Sequence, residues 1–330
     1  MSSTKTGIEW CDRTWNPIVG CTRVSKGCEH CYAERMAKRL EAMGVKHYQG
    51  LLDHNGRWNG KVALAEHKLN EPLGWKKPQT VFVNSMGDLF HENVPDEWID
   101  RVLVAIAKCR QHTFIVLTKR ADRMLKYFTS VSDGTSRERL FTMSHYTTEC
   151  HEWHMGYRRG KPIENLAIGV SVEDQRTADE RIPLLLQTPA RWRFVSYEPA
   201  LAPVDFSSFV KAGYWYCAEC DEEVSSKFVT HKEAHESCGC YCVWTPLLHG
   251  IIMGGESGPL ARSMTPEWVR RTWDECHVAG VNFFFKQWGD NPDDSAFEEP
   301  YGLVCASMQG KHCGRLLDGR EHNDLPWEDK

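Results

Sequence analysis

The sequence predicts an α/β protein built as a (β/α) barrel, either complete or partial. Short apolar runs rich in Val, Ile and Phe alternate with amphipathic stretches over most of the chain. Parallel strands need crossover connections, so this alternation indicates a parallel sheet. Polar residues follow each apolar run, and in such barrels the site lies at the carboxyl ends of the strands. A doubly wound open sheet is the alternative and would place its site at the same ends.

Six apolar runs are the predicted strands of the sheet, and a short first strand is expected around residues 15–19. The six runs are residues 80–90, 113–120, 166–175, 192–201, 250–258 and 282–290. Helical periodicity follows at 95–111, 121–131, 176–187 and 265–280. Pro95 and Pro266 stand near two helix starts, where proline is favoured. A first barrel helix is predicted over 29–43.

Two segments interrupt the alternation and divide the chain. Residues 132–164 are predicted to be an inserted loop or lid, and residues 213–245 a small inserted zinc module. The barrel is then assembled from three pieces. Residues 1–131 include the cysteine-rich loop, residues 165–212 continue the barrel, and residues 246–330 complete it and add a C-terminal tail.

Composition limits the function classes. A hydrophobic content of 41% and a charged content of 26% fit a soluble globular protein. Neither a membrane-spanning run nor a signal peptide is recognisable, so we expect a cytoplasmic protein without a membrane partner. The fourteen cysteines would then bind metal rather than form disulfides. A net charge of −5 excludes a strongly basic nucleic-acid binder, so any such binding must use a local patch.

Residues 21–31 carry Cys21, Cys28 and Cys31. Thiolates bind zinc or hold iron–sulfur clusters. Three thiolates can hold three irons of a 4Fe-4S cluster and leave the fourth iron open. In radical S-adenosylmethionine (SAM) enzymes the cofactor's amine and carboxylate occupy that position, and an electron from the cluster cleaves the sulfonium to release a 5′-deoxyadenosyl radical. The alternatives are a zinc knuckle completed by His30 or Cys11, or simple buried thiols.

Seven blocks of the sequence resemble the three-cysteine-motif proteins of phages and bacteria, whose function is unassigned. They include "CTRVSKGCEHCYAERMAKRL", "VFVNSMGDLF", "IGVSVEDQRTADERIPLLL" and "MGGESGPLARSM", and they cover most of the chain apart from the two inserts. The resemblance implies a radical-SAM-type barrel, with a more distant similarity to spore photoproduct lyase, a DNA-repair enzyme. Two features depart from these patterns: the first cysteine gap is six where common radical-SAM enzymes have three, and Cys11 replaces a small polar residue of the family.

Three pairs of polar residues at strand ends are predicted to bind the cofactor. The pairs are Ser85 and Asp88, Lys119 and Arg120, and Ser171 and Glu173. The resemblance implies that the first pair contacts the cofactor's amino group. The cations suit its carboxylate or a substrate phosphate, and the third pair suits a ribose. The structural alternatives are turn capping, a solvated helix start and a favourable charge at a helix start.

Glu198, Glu256 and Lys286 are the predicted catalytic residues. Both carboxylates follow buried strands, where an unpaired charge is costly. Lys286 is a candidate partner for either carboxylate. The alternative to a substrate-binding role is a structural ion pair across the barrel mouth.

The second cysteine cluster predicts a zinc site in the 213–245 insert. Its candidate ligands are Cys217, Cys220, His231, His235, Cys238, Cys240 and Cys242. The first two cysteines combine either with the two histidines or with two of the last three cysteines, and the spacing leaves this choice open. Metal binding would supply the folding energy that so small an insert lacks. An iron–sulfur cluster and redundant thiols are the lesser alternatives.

These patterns together predict a radical-SAM enzyme that acts on a nucleic acid or nucleotide and takes its electron from an external donor. The DNA, RNA or nucleotide substrate follows from the lyase resemblance and from the basic and aromatic residues of 132–164, such as Arg158, Arg159 and Trp153. Two other classes stay open. One is a non-catalytic zinc-containing module that binds nucleic acid or protein. The other is a closed structural or redox iron–sulfur protein with Cys11 as the fourth ligand.

Overall fold

The fold, described by a computed structural model for residues 6–132, 162–217, 222–223, 242–291 and 314–328, is mixed α/β. Its strands in chain order are β1 Arg13–Trp15, β2 Ile18–Val19, β3 Ala63–Leu64, β4 Thr80–Val83, β5 Thr113–Thr118, β6 Leu166–Val172, β7 Trp192–Tyr197, β8 Gly213–Cys217, β9 Glu222–Glu223, β10 Cys242–Pro246, β11 Gly250–Gly254 and β12 Asn282–Gln287. Its α-helices are α1 Tyr32–Ala42, α2 Asp96–Lys108, α3 Ala121–Ser132, α4 Gln175–Gln187, α5 Ser207–Val210 and α6 Pro266–Ala279.

Seven parallel strands form one curled sheet in the order β1-β4-β5-β6-β7-β11-β12. Helices α2, α3, α4 and α6 lie between successive strands of this sheet along the chain. The strand order never reverses, whereas a doubly wound sheet has a switch point. The prediction of a partial (β/α) barrel is therefore confirmed at the level of a half-barrel, with β1 and β12 at its edges.

The first strand is shorter than predicted. It ends at Trp15, and β2 leaves the main sheet to pair antiparallel with β3. Gly20 follows with φ 99°, and a Cβ there would lie 2.2 Å from the Lys61 carbonyl oxygen. Only glycine fits this close approach. The first helix also begins later than predicted, at Tyr32, so all three cysteines precede it.

The inner face of the half-barrel changes from apolar to polar along the strands. Trp10 and Trp327, from opposite ends of the chain, pack inside it against Phe82 and Phe194, with ring centroids 4.8 and 5.6 Å apart respectively. Residues two positions apart share a face of a strand. The inner face of β7 therefore continues from Phe194 to Ser196, and polar groups collect at the carboxyl ends of the strands.

The inserted segments are only partly described. Strands β8, β9 and β10 form a separate antiparallel sheet. Along the chain they follow β7 and precede β11, in the segment predicted to be the zinc module. Most of the predicted insert at 132–164, including its basic and aromatic residues, lies outside the described residues. In the described part of the chain, no helix is long and apolar enough to cross a membrane.

The contact between β6 and β7 predicts a stability change for Gly169→Ala. A Cβ at residue 169 would lie 2.5 Å from ring carbons of Phe194, which is fully buried. Overpacking of this kind costs about 1–3 kcal/mol in the free energy of unfolding, measurable in urea. Gly74→Ala is the matched control. A Cβ at residue 74 meets nothing within 4 Å, so its effect should stay within about 0.5 kcal/mol.

A second background tests the cause. Phe194→Leu removes the crowding ring carbons, so Gly169→Ala should cost at least ~0.5 kcal/mol less in that background, as expected for residues in contact. An equal cost in both backgrounds would contradict the proposed clash.

Candidate functional site

Three thiols line a single cavity of about 180 Å³ at the carboxyl ends of β4, β5 and β6. The loop that carries them reaches the sheet through a bridge between Gly20 and Gly87. The predicted site residues that line this cavity are Cys21, Cys28, Cys31, Ser85, Asp88, Lys119, Arg120 and Ser171. The structure thus brings the cysteine loop and the polar strand ends together, as the sequence predicts. We call this space the cysteine cavity.

Arg120 connects the first cysteine to the end of β5. Its Nη1 lies 3.7 Å from Cys21 Sγ and 3.0 Å from Asp88 Oδ2, and its Nη2 donates to Thr22 Oγ1 at 2.6 Å. Its Nε donates to Glu92 Oε2 at 2.7 Å. Burial, with a contribution from Asp88, raises the pKa of the Cys21 thiol to about 12, while Arg120 opposes the shift. Arg120 therefore holds the loop and favours the thiolate at Cys21.

Asp88, predicted to contact a cofactor amine, is engaged within the protein. It is buried, and its Oδ1 accepts from Thr118 Oγ1 at 2.7 Å and from the Phe90 amide at 3.0 Å. Its Oδ2 accepts from the Lys119 amide at 3.2 Å in addition to Arg120. Both oxygens thus have partners, and the carboxylate orients Arg120.

Glu173 joins the cysteine loop to β6. It is buried, and it contacts Lys119 Nζ, Arg181 Nη1 at 3.2 Å and Ser25 Oγ at 2.9 Å. Burial alone would raise the pKa of Glu173, but Lys119 and Arg181 hold it below its ordinary value. A Cβ at Gly27 would lie 2.6 Å from Glu173 Cγ. Glycine at position 27 therefore allows the loop to press against this carboxylate.

A third ion pair joins the loop to the end of β11. Arg262 Nη2 donates to Glu256 Oε1 at 2.6 Å and to the Lys26 carbonyl at 3.0 Å. Arg262 Nη1 donates to Glu29 Oε2 at 3.0 Å, and His30 Nδ1 lies 3.2 Å from Glu256 Oε2. Glu256, a predicted catalytic residue, is thus committed to Arg262 and the loop.

The other two predicted catalytic residues pair with each other. Lys286 Nζ lies 2.9 Å from Glu198 Oε1, and Ser196 Oγ donates to Glu198 Oε2 at 3.2 Å. Burial would lower the pKa of Lys286, but Glu198 holds it above its ordinary value. A Cβ at Gly254 would lie 2.7 Å from Glu198 Oε1, and one at Gly255 would lie 2.0 Å from a backbone oxygen. These glycines therefore leave the space that neighbouring protein groups occupy.

Asn84 is a site residue that the sequence pattern did not single out. It lines the cysteine cavity, and its Oδ1 accepts from the Ile18 amide at 3.2 Å. Its buried Nδ2 has no hydrogen-bond partner among the described residues. An unsatisfied buried donor costs about 1–3 kcal/mol, so this amide is suited to an acceptor brought by a ligand. Asn84 has a φ of 57°, which asparagine tolerates better than most residues. The signal that the sequence offered was an asparagine directly after a buried strand.

Cys11 lies away from the cysteine cavity. It packs with Trp10 and Phe194 in the apolar cluster inside the half-barrel, and its Sγ is 3.6 Å from Thr6 Oγ1. It precedes β1, whereas the cysteine loop follows the carboxyl end of that strand. Cys11 is not among the described residues that line the cavity.

The metal-binding side chains of the cysteine cavity include its three cysteines. Within the described residues, no group of three or more His, Cys, Asp or Glu side chains is arranged to hold one metal ion. In a cubane cluster each thiolate binds a different iron, so the sulfurs surround a volume rather than converge on a point. Cys21, Cys28 and Cys31 line such a volume, and all three are free thiols.

The predicted zinc ligands are mostly outside the described part of the chain. Cys217 and Cys242 stand directly opposite each other in the antiparallel register of β8 and β10. The side chains of these two cysteines are not described. The other five candidate ligands lie entirely outside the described residues: Cys220, His231, His235, Cys238 and Cys240. The backbone thus brings the two ends of the cysteine-rich segment together.

The fold and site define a half-barrel α/β protein with a three-cysteine cavity at its strand ends. A family model described as "Protein of unknown function (DUF5131)" matches residues 5–326, so the chain belongs to this family. The match includes the cysteine loop, all seven strands of the main sheet and both inserted segments. No curated protein and no solved structure matches the chain.

Glu173→Gln should destabilise the protein by about 3 kcal/mol in urea unfolding, because it leaves the buried Arg181 and the half-buried Lys119 without their carboxylate. Glu180→Gln is the control, since Glu180 pairs with Arg176 at 2.7 Å on an exposed face of α4. Its loss should cost less than about 0.5 kcal/mol. Equal losses in the two variants would show that the Glu173 network does not hold the loop.

Proposed function

We propose that this protein is a radical-SAM enzyme in which Cys21, Cys28 and Cys31 hold a 4Fe-4S cluster. The observation that carries the proposal is that the three thiols line one cavity together with the polar ends of three parallel strands. When bound and reduced by an external electron donor, such a cluster supplies the electron that cleaves the sulfonium of SAM. Among the residues that the structure describes, neither the zinc-containing binding module nor the closed cluster has a comparable observation in its favour.

The surroundings of the cavity support an iron with an open position. Cys11, the fourth ligand of the closed-cluster alternative, packs instead with Trp10 and Phe194. The cavity wall also carries groups that suit the polar ends of SAM. The unpartnered Nδ2 of Asn84 is a donor for its carboxylate, and the Ser85 hydroxyl is an acceptor for its ammonium.

The predicted cofactor residues divide into two roles under this proposal. Ser85, Ser171 and Lys119 line the cavity and would contact the cofactor. Asp88, Arg120 and Glu173 position the cysteine loop through the contacts described above. Under this proposal, some of the charged residues at the strand ends bind the cofactor and the others hold the cysteine loop in position.

A polar row leads from the cavity towards the predicted catalytic pair. Ser171 lines the cavity and lies opposite Ser196 in the register of β6 and β7. Ser196 donates to Glu198, which pairs with Lys286. In our proposal the substrate lies along this row, where Lys286 and Glu198 hold or move a proton. Glu256 is more remote from the chemistry, because Arg262 donates hydrogen bonds to both of its oxygens.

Metal analysis of protein purified without oxygen tests the cluster. We expect about four iron and four sulfide per chain, with absorption typical of thiolate-ligated clusters, and about one zinc from the 213–245 insert. Cys28→Ala should lose the iron and keep the zinc, whereas Cys11→Ser should keep both. Iron lost from Cys11→Ser would favour the closed cluster. Zinc alone, after attempted reconstitution with iron and sulfide, would favour the binding module.

Asn84→Ala should weaken SAM binding about tenfold, because a hydrogen bond to a charged group is worth about 1.5–3 kcal/mol. Iron content should not change, since Asn84 is not a proposed ligand. The measurements are SAM affinity and the formation of methionine and 5′-deoxyadenosine by the reduced protein. Asn70→Ala, at an exposed asparagine whose side chain caps no helix, should leave both unchanged. Reduced, cluster-loaded wild-type protein that leaves SAM intact would contradict the proposed function.

A further inference from the structure

We propose that a second cavity, next to the cysteine loop, binds a phosphate group of a nucleic-acid or nucleotide substrate. This cavity has a volume of about 290 Å³ and lies between α1, the turn at 53–58 and the loop at 257–260. It shares Arg23 and Cys31 with the cysteine cavity, so the two spaces adjoin. The inference rests on the proposed function for the reaction, but phosphate binding is measurable without it. We call this space the basic cavity.

The carboxylates of the basic cavity are already neutralised. Glu34 accepts from Arg23 Nε at 3.0 Å and from the Trp58 amide at 3.1 Å. Glu29 accepts from Arg262 Nη1 at 3.0 Å. Each of the two acids on its wall is therefore paired with an arginine, Glu34 with Arg23 and Glu29 with Arg262.

Three other cations line the basic cavity without such partners. Arg35, Lys38 and Arg57 form no ion pair with any carboxylate in the described ranges. Asp53, the acid of the neighbouring turn, instead accepts hydrogen bonds from the backbone amides of Asn55 and Arg57, at 2.8 and 2.9 Å. The cavity thus keeps an excess of positive charge, which favours an anionic ligand.

A glycine leaves the space that the Arg35 guanidinium occupies. Gly258 has φ 119°, and a Cβ there would lie 2.6 Å from Arg35 Nη1. Gly56 has φ 75°, and a Cβ there would meet Lys38 Cδ at 3.4 Å. The Arg35 guanidinium also lies 3.5 Å from the Ser257 carbonyl oxygen, which orients it. A fixed guanidinium beside a lysine is an arrangement that suits phosphate oxygens.

The position of the basic cavity favours a nucleotide phosphate. All three cations are exposed, so a chain can enter and leave the cavity. Leu260, 69% exposed, adds an apolar surface on its wall for a sugar or base. A phosphate held here would place the adjoining nucleoside towards Cys31 and the cysteine cavity. The same phosphate chemistry would come from a nucleic-acid strand or from a free nucleotide.

The test is binding of a labelled single strand to the full-length protein, measured by fluorescence anisotropy over a range of salt concentrations without added SAM. The variant is Arg35→Gln/Lys38→Gln/Arg57→Gln. Each neutralised phosphate on a single strand contributes about 0.7 to the slope of log affinity against log salt, so loss of the one phosphate held in the basic cavity should lower the slope by about 0.7. Arg39→Gln is the matched control. It neutralises an exposed cation of α1 that does not line the cavity, and should change the slope little.

Competition identifies the source of the phosphate. If a mononucleotide displaces the strand from wild-type protein and its own binding weakens at least about tenfold in the triple variant, the ligand is a nucleotide. If the wild-type protein binds longer strands but no mononucleotide, and the triple variant binds those strands with a smaller salt slope, the ligand is a nucleic acid. Unchanged affinity and slope in the triple variant, or binding of neither ligand by the wild type, would overturn the inference. If the reduced wild-type protein does not cleave SAM but binds the strand or nucleotide through the basic cavity, only the proposed enzyme activity would be overturned.

Discussion

Buried ion pairs at the ends of parallel strands are the interaction on which the candidate site depends. The loop that carries the three cysteines has one short 3-10 turn and otherwise lacks regular structure. Arg120, Glu173 and Arg262 hold it from the ends of β5, β6 and β11. Removing one partner of a buried pair costs about 3–5 kcal/mol, so these charges are mutually dependent. The cysteines therefore owe their common cavity to electrostatic contacts with the sheet.

This constraint also separates residues that bind from residues that position. Asn84, Ser85 and Ser171 line the cysteine cavity without pairing with a cation, whereas Asp88, which also lines it, and Glu173 direct cations towards the loop. The two cavities adjoin, so one ligand can contact both of them. In our account the cysteine cavity supplies the reactive centre, and the basic cavity holds the charged part of the substrate. The two functions can be tested separately, because the proposed phosphate contacts Arg35, Lys38 and Arg57 are not proposed cluster ligands.

The sequence was sufficient to predict that strands and helices alternate. It was also sufficient to predict that the cysteines lie at the polar ends of the strands. Buried parallel strands read as continuous apolar runs, and their carboxyl ends meet at one edge. The choice of ion partners was not predictable. Lys286 pairs with Glu198 rather than Glu256, which depends on side-chain positions at β7 and β12, the two strands that flank β11. Likewise, β2 leaves the sheet because it pairs with β3, a contact distant in sequence.

The central claim is that three protein thiolates hold a cluster and leave one iron open. Mössbauer spectroscopy of the iron-57-labelled protein, purified without oxygen, tests it most directly when recorded with and without SAM. The account predicts that SAM changes the signal of about one quarter of the cluster iron, because one of the four sites lacks a protein thiolate. A four-iron signal that SAM leaves unchanged would contradict an open iron. A protein that contains zinc and no iron after reconstitution would contradict the cluster altogether.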